Sequence, residues 1–222
     1  MAEAISSDEF AVRRQHMVDG QLRTCEVTNQ SVLAAFARLA RETFVSPDFA
    51  SFAYLDRDVP ALGARDRLLL APMTLARLIQ AANVQPDHVA LDVAGGSGYS
   101  AAVLASLGAR VVALESDAGS VAAARRLLAG ERSVAIVAGD LAAGAAGGPF
   151  DTIVINGAFE SAPEKLLSLL ADGCRLVGVD ASYGAPKAIL IERISGKTSR
   201  RALFDVTAPV LEAFRKAPSF AF

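Results

Sequence analysis

The stretch from Val89 to Glu115 carries the residues with the clearest capacity for ligand chemistry. An apolar run with one acid, Asp92, leads into a small-residue loop, residues 94–98, and a helical pattern follows from Tyr99. Glycines let a backbone approach a ligand closely, and the first turn of a helix offers unpaired N–H groups. Glu115 ends the next apolar run, where its carboxylate can accept hydrogen bonds from ribose hydroxyls. The stretch therefore predicts a β-α-β unit that holds a nucleoside.

Two cofactor classes are compatible with this unit. The run from Gly96 to Ala101 matches the dinucleotide pattern G-x-G-x-x-G/A and has an acid about twenty residues on, which keeps NAD as an alternative. Asp92, on the strand before the loop, instead resembles the motif of methyltransferases that use S-adenosylmethionine (SAM). The unit also follows a long N-terminal segment, whereas dehydrogenases that bind the nucleotide first usually open with it. Together these features favour SAM.

The SAM interpretation implies contacts from the carboxyl ends of several strands. Asp140, after the third strand, would accept a hydrogen bond from the adenine amino group, although an acid in this place is also a common turn or helix cap. Asn156, after the fourth strand, would lie at the methionine end of SAM. The residues predicted to bind SAM and its product S-adenosylhomocysteine (SAH) are Asp92, Ala94, Gly95, Gly96, Ser97, Gly98, Tyr99, Glu115, Ser116, Asp140, Leu141 and Asn156.

Length and composition limit the remaining classes. The 222 residues suit a single domain, residues 1–222, with a helical extension on the substrate side (1–83) and an α/β core (84–222). A formal net charge of −2 gives no general attraction to nucleic acid or to an anionic membrane, so neither is expected as a partner. The early sequence lacks a signal-peptide pattern, and a cytoplasmic location is expected. The two cysteines and two histidines have no metal-type spacing, so no metal is expected. The oligomeric state is left open.

Apolar runs predict a parallel sheet that is covered on both faces. The predicted strands are Val89–Val93, Arg110–Glu115, Val134–Ala138, Asp151–Ile155 and Cys174–Val179. Two further runs, Lys187–Ile194 and Arg201–Thr207, are joined by a turn signal and predict an antiparallel hairpin. The fold class is therefore α/β, and it resembles the class I SAM-dependent methyltransferase fold: a mostly parallel seven-stranded sheet with a C-terminal antiparallel hairpin and an N-terminal helical extension.

Helical spacing describes much of the remaining chain. The predicted helices include Asp8–Cys25, Gln30–Ala40, Met73–Ala82, Ala118–Ala129 and Pro163–Leu170. The segment Arg41–Pro60 is expected to be mostly irregular, and Asp205–Phe222 is expected to form a tail on the domain.

Four segments, taken in order, carry a family likeness. They are MVDGQLR (Met17–Arg23), RETFVSP (Arg41–Pro47), AYLDRDVP (Ala53–Pro60) and GGSGY (Gly95–Tyr99). In this order and rough spacing they resemble the protein L-isoaspartate O-methyltransferases, from about Met17 to Phe204. The resemblance implies SAM as cofactor, and methyl transfer to a carboxylate of a protein or a small molecule.

The chain departs from this family at the signature Thr-Ile-Ser-x-Pro. When the sequences are aligned on Pro72, Leu70 occupies the position of the serine, which in the family lies against the methyl donor and the substrate carboxylate. The preceding segment is longer than the family pattern and has charged residues, Arg65 to Arg67, in place of Gly-Gln. A hydroxyl that could bind a carboxylate has become a hydrocarbon, so isoaspartyl methylation is expected to be weak or absent.

No catalytic residue follows from the sequence, and Tyr99 and Asn156 are the candidates. Methyl transfer from a sulfonium needs little acid–base help, because the donor is already activated and catalysis can come from alignment and exclusion of water. The family also usually has glycine where this chain has Ala94. A positive φ there would cost about 1–2 kcal/mol, unless Gly95 takes the turn.

Three functions follow, of which a SAM-dependent methyltransferase is favoured. The alternatives are a SAM-binding sensor or interaction protein that no longer methylates, and an NAD-dependent oxidoreductase. Titration with SAM and with NAD separates the oxidoreductase from the other two, and labelled SAM with candidate acceptors separates the enzyme from the sensor.

Overall fold

The computed structural model describes residues 5–217, and a seven-stranded sheet lies at its centre. In chain order the strands are β1 (Val59–Pro60), β2 (Leu68–Leu69), β3 (Val89–Val93), β4 (Arg110–Glu115), β5 (Val134–Ala138), β6 (Phe150–Phe159), β7 (Leu170–Asp180), β8 (Lys187–Ile194) and β9 (Lys197–Asp205). The α-helices are α1 (Ser7–Met17), α2 (Gln30–Arg38), α3 (Pro72–Ala82), α4 (Tyr99–Ser106), α5 (Ala118–Leu127) and α6 (Glu164–Ser168).

The strands of the large sheet lie in the order β5-β4-β3-β6-β7-β8-β9. Strands β3 to β7 run parallel to one another, and β8 and β9 each pair antiparallel with the strand before them. The prediction of a mostly parallel sheet with an antiparallel C-terminal hairpin is confirmed. The strand order reverses where β6 returns to lie beside β3, and ligand crevices in open α/β sheets form at such a point.

Alternate residues of each strand face two different cores. On β3, Ala90 belongs to a cluster that includes the N-terminal extension, α3 and α4. Its neighbours Leu91 and Val93 belong to a second cluster, which includes Leu166 of α6 and Phe214. Because both faces of the sheet are covered, its central strands are nearly continuous apolar runs.

The N-terminal extension begins with a capped helix. Ser6 and Glu9 form a capping box at the start of α1, in which the Ser6 hydroxyl accepts from the Glu9 N–H at 3.2 Å. The helix predicted over Asp8–Cys25 is divided into α1, a π-helix at Val18–Leu22 and a 3₁₀ turn at Arg23–Cys25. The segment expected to be irregular contains two 3₁₀ helices, Arg41–Phe44 and Pro47–Phe52.

Strand β6 is longer than the sequence predicts. The prediction ended it at Ile155, but it continues to Phe159 through a β-bulge, because its pairing with β7 shifts register between Val154 and Ala158. Asn156 therefore lies within this bulge instead of after the strand. The local apolar pattern could not indicate the extra pairing, which depends on the position of β7.

Residues 218–222 of the predicted tail lie outside the described residues. Among residues 5–217, no helix combines the length and the apolar character needed to cross a membrane. The same residues contain no group of three or more His, Cys, Asp and Glu side chains that could hold a metal. A cytoplasmic location and the division of the domain at residue 83 stay predictions.

Arg41 joins three parts of the extension although it is fully buried. Its Nε donates to the carbonyl of Ala53 and its Nη2 to the carbonyl of Leu70, each at 2.8 Å. The guanidinium also lies over the ring of Tyr99, 4.9 Å from the centroid. Burial lowers the pKa of Arg41 from its usual value. The side chain therefore fixes the segment before α3 against the start of α4.

We expect Arg41→Met to lower the free energy of unfolding by about 2–4 kcal/mol, because two carbonyls lose their donor and each unpaired buried group costs about 1–3 kcal/mol. Denaturant unfolding of both proteins measures the difference. Arg132→Met is the matched control, since Arg132 is exposed, and it should change stability by less than about 0.5 kcal/mol. Equal stability of Arg41→Met and wild type would contradict a structural role for these hydrogen bonds.

Candidate active site

The carboxyl ends of β3 and β6 meet at a buried cluster of polar side chains. Asp92 on β3 is fully buried, and its Oδ1 accepts from Nδ2 of Asn156 at 2.7 Å. Its Oδ2 accepts from Oγ of Ser100, in the first turn of α4, at 2.8 Å. Asn156 also donates to the carbonyl of Val93 at 3.0 Å, so both of its amide hydrogens are used. Only the side-chain oxygen of Asn156 is left to contact a ligand.

Burial dominates the electrostatics of Asp92. Removal from water raises the pKa of this carboxyl to about 6, although the hydrogen bonds from Ser100 and Asn156 oppose the shift. The negative charge of Glu115 adds to the increase.

The glycine loop between β3 and α4 wraps closely around Asp92. A Cβ on Gly95 would collide with Oδ2 of Asp92 and with Oγ of Ser100, so no other residue fits there without a shift. Ala94 has a φ of +59°, in the left-handed region that favours glycine. The strain considered from the sequence therefore falls on Ala94, and Gly95 does not take over the positive φ.

Glu115, at the end of β4, is held against the glycine loop. Its Oε2 accepts from the N–H of Gly96 at 3.0 Å, and its Oε1 accepts from the N–H of Ser116 at 2.7 Å and of Asp117 at 3.0 Å. Arg67 reaches the same carboxylate with Nη2 2.9 Å from Oε1 and Nε 3.1 Å from Oε2. The side chain of Glu115 is 4% exposed and that of Arg67 14%, so this ion pair is largely shielded from water.

Arg67 belongs to the β1–β2 hairpin, residues 59–69, which lies over the glycine loop. A Cβ on Gly96 would lie 2.8 Å from Cβ of Ala61 and 3.2 Å from Cγ of Arg67. At the tip of the hairpin, a Cβ on Gly63 would lie 2.8 Å from the carbonyl oxygen of Gly119, in the first turn of α5. Side chains of the hairpin thus pack closely on the loop at Gly96, and the hairpin backbone at Gly63 lies close to the backbone of α5 at Gly119.

Leu70 lies where the hairpin, the loop and β6 come together. The side chain is 2% exposed, and it lines a narrow cleft with Gly95, Tyr99, Ser100 and Asn156 that leaves no room for a water-sized sphere. The position predicted from the family signature is therefore next to three other predicted site residues, Gly95, Tyr99 and Asn156.

Ser97 and Tyr99 face the extension more than the crevice. Both are fully buried, and Oγ of Ser97 donates to the carbonyl of Phe44 at 2.5 Å. The ring of Tyr99 packs edge-on against Phe36 and Phe44, with centroids 5.9 and 5.5 Å away. Burial raises the pKa of Tyr99 to about 12, so its phenol is neutral at ordinary pH. These contacts favour a packing role for both side chains.

The loop after β5 carries the remaining predicted residues. Oδ1 of the exposed Asp140 accepts from the N–H of Ala142 at 2.9 Å, which is the turn-forming bond considered for this acid. Its other oxygen is free to accept from a ligand. Leu141 is buried, and Oγ of Ser116 lies 3.2 Å from Nη2 of Arg67.

The model of the family described as "Protein-L-isoaspartate(D-aspartate) O-methyltransferase (PCMT)" matches residues 12–206. The chain belongs to this family. A protein-L-isoaspartate O-methyltransferase from Methylorubrum populi is 40% identical over 166 residues, which cover 74% of this chain and 77% of that one. The protein of the same name from Koribacter versatilis is 33% identical over 209 residues, which cover 92% and 93% of the two chains. The family resemblance found in the sequence is confirmed.

Solved structures of PCMT proteins share the fold. A protein-L-isoaspartate O-methyltransferase superposes with a TM-score of 0.79 at 20% identity, covering 89% of this chain and 65% of that longer one. A protein from Plasmodium falciparum, described as a PCMT in complex with SAH, gives a TM-score of 0.75 at 20% identity and covers 90% and 98%. The predicted class I SAM-dependent methyltransferase fold is confirmed.

The residues of this PCMT member fit a nucleoside donor only in part. The carboxylate of Glu115, the glycine loop and the free oxygens of Asp140 and Asn156 are suitable groups at the ends of neighbouring strands. Arg67 and the hairpin, however, cover the carboxylate and Gly96. The residues therefore fit the donor with the hairpin displaced.

Sequence reasoning missed two contributors to the site. Arg67 carries no local signal of this role, because its pairing with Glu115 joins residues 48 positions apart. Ser100, the partner of Asp92, has a local signal: it lies in the first turn of a helix after a glycine loop, where a side chain points back to the preceding strand.

We expect the stability of Asp92→Asn, relative to wild type, to rise by about 2 kcal/mol between pH 4 and pH 7. The pKa of Asp92 is about 6 in the folded protein and about 3.9 in an unfolded chain. The stabilisation from the neutral carboxyl is therefore fully present below about pH 4 and is lost as the pH rises through about 6.

Denaturant unfolding at four pH values between 4 and 7 tests this expectation. Asp48→Asn serves as the control, because it makes the same replacement at an exposed position away from the site. A pH-independent difference between Asp92→Asn and wild type would rule out the raised pKa.

Proposed function

We propose that this chain is a SAM-dependent methyltransferase that transfers a methyl group to a carboxylate of a protein or a small molecule. The main support is the hydrogen bond between the N–H of Gly96 and Oε2 of Glu115, at 3.0 Å in a PCMT family member. It brings the carboxylate suited to a ribose directly against the glycine loop, at the edge of the sheet where ligands bind in this class of fold.

The proposed contacts follow from the hydrogen-bonding capacity of each group. Glu115 would accept from the ribose hydroxyls, and the free oxygen of Asp140 would accept from the adenine amino group. The side-chain oxygen of Asn156 would accept from the ammonium at the methionine end, beside Gly95. When bound, SAM supplies an activated methyl group.

The protein's own contribution would be binding, alignment and exclusion of water. Asp92 is not suited to abstract a proton from a substrate, since it is fully buried and both of its oxygens already accept hydrogen bonds. Its bonds to Ser100 and Asn156 instead hold the loop and β6 in fixed positions. A carboxylate acceptor needs no general base, because it is already ionised at neutral pH.

Calorimetric titration of the full chain with SAH and with NAD tests the cofactor class. We expect saturable binding of SAH and none of NAD, because Glu115 and Asp140 present acceptors for adenosine while the class I fold carries no second mononucleotide-binding half. Binding of NAD in place of SAH would point to the oxidoreductase alternative. Labelled SAM with proteins and small carboxylic acids as acceptors then tests methyl transfer.

We further propose that isoaspartyl residues are poor acceptors. Leu70 cannot donate a hydrogen bond, and desolvating a carboxylate beside a hydrocarbon without compensation costs several kcal/mol. Two polar side chains of the narrow cleft around Leu70 already use their hydrogens, since Asn156 donates twice and the hydroxyl of Ser100 donates to Asp92. The ring of Tyr99, which also lines the cleft, packs against the extension. A cost of about 2.7 kcal/mol lowers a rate by roughly 10², so we expect isoaspartyl methylation to be slower by at least this factor.

Methyl incorporation into an isoaspartyl peptide measures this loss. The wild type should be about 100-fold or more slower than a PCMT relative with the intact signature, and Leu70→Ser should recover part of the rate. Leu33→Ser is the control, since Leu33 of α2 is equally buried but does not line the cleft. Both variants lose a buried leucine, at about 2–5 kcal/mol, and are assayed well below their melting temperatures. A wild-type rate equal to the relative's would show that Leu70 only lines the cleft.

A further inference from the structure

The carboxylate of Glu115 has no free hydrogen-bonding capacity in this structure. Oε1 receives Nη2 and Nε of Arg67 together with the N–H groups of Ser116 and Asp117, and Oε2 receives Nε of Arg67 and the N–H of Gly96. An ionised carboxylate offers about four lone-pair sites. Ribose hydroxyls can therefore bind Glu115 only in place of another donor.

Arg67 is the donor that can be exchanged. The other three donors are backbone N–H groups of the glycine loop and of the turn after β4, whose positions are set by the chain itself. Arg67 instead reaches Glu115 from the hairpin through a flexible side chain. Its removal would leave the bonds to Gly96, Ser116 and Asp117 in place.

The hairpin is attached differently at its two ends. At its base, Oδ1 of Asp58 accepts from the N–H of Ala71 at 2.7 Å, and β1 pairs with β2. Its first half is also tied to residues 44–46, because the N–H of Ser46 donates to the carbonyl of Pro60 and the N–H of Leu62 to the carbonyl of Phe44, each at 2.9 Å. At its far end, the contact of Gly63 with Gly119 involves small residues only. The bidentate ion pair of Arg67 is therefore the strongest polar interaction between the hairpin and the site described above.

We propose that Arg67 controls access of SAM to its site: the hairpin is closed while Arg67 pairs with Glu115, and the donor binds after Arg67 has released this carboxylate. The proposal rests on the proposed function, since it concerns the same site. The apparent dissociation constant is then the constant of the open form divided by the fraction of molecules in which Glu115 is free. Weakening the ion pair raises this fraction and tightens binding.

Calorimetric titration with SAH compares wild type, Arg67→Gln and Arg65→Gln. SAH is the probe because it lacks the sulfonium charge, which Arg67 would also repel directly. Arg65 lies on the same hairpin, is exposed, and takes part in no side-chain hydrogen bond or ion pair among the described residues, so Arg65→Gln removes the same charge without freeing Glu115. We expect SAH to bind Arg67→Gln about tenfold to a hundredfold more tightly than the other two proteins.

A double-mutant cycle separates the two roles of Glu115. In the wild-type background, Glu115→Ala removes the acceptors for the ribose, which weakens SAH binding. It also frees the hairpin, which strengthens SAH binding, so the two effects partly cancel. In the Arg67→Gln background only the first effect is left, and Glu115→Ala should weaken SAH binding by about tenfold to a hundredfold. Equal losses in the two backgrounds would contradict the competition between Arg67 and the donor.

Hydrogen exchange of the ligand-free proteins gives a readout that does not depend on SAM. Peptides covering residues 59–69 should exchange faster in Arg67→Gln than in wild type, and Arg65→Gln should match wild type. Unchanged exchange would overturn the closing role of Arg67. Equal or weaker SAH affinity of Arg67→Gln would overturn this inference alone, whereas failure of all three proteins to bind SAH would overturn the proposed function as well.

Discussion

Asp92 is buried at the carboxyl end of β3, where its two oxygens accept hydrogen bonds from Asn156 on β6 and from Ser100 on α4. A buried carboxylate is tolerated only when hydrogen bonds replace the water that it has lost. Three elements must therefore converge on one side chain: the central strand, its neighbour across the reversal of strand order, and the helix after the glycine loop. The positions of the other site residues follow from this convergence.

The same constraint explains the composition of the loop. Gly95 passes so close to Asp92 that no Cβ fits, and the chain turns at Ala94 with a positive φ. An alanine in this conformation stores strain of about 1–2 kcal/mol, which the surrounding hydrogen bonds and packing must hold in place. Asp92 thus contacts the loop at Gly95, and the β1–β2 hairpin contacts it at Gly96.

Above the loop, Glu115 can pair either with a cation of the protein or with the hydroxyls of a ligand. Arg67 neutralises the carboxylate of Glu115, which is 4% exposed. Without this cation the carboxylate would be costly to bury, because its negative charge and that of Asp92 repel each other. If SAM binds after Arg67 has released Glu115, as proposed, the free energy needed to break this ion pair reduces the apparent affinity for the donor. Leu70, at the position predicted from the family signature, lines the adjacent cleft with a hydrocarbon. Arg67 and Leu70 both lie in the short segment that precedes α3.

The sequence by itself determined the parallel sheet, its C-terminal hairpin, the glycine loop and the family, because periodicity, turn residues and motif order are local properties of the chain. It also predicts that Leu70 stands at the position of the family's serine. The tertiary structure decided the bulge at Asn156, the packing of Tyr99 and Ser97 towards the extension, and the pairing of Arg67 with Glu115. These features depend on which strands and side chains meet across long separations, 48 residues in the case of Arg67 and Glu115. A local pattern shows that a residue is charged or apolar, but only the folded chain shows which partner it meets.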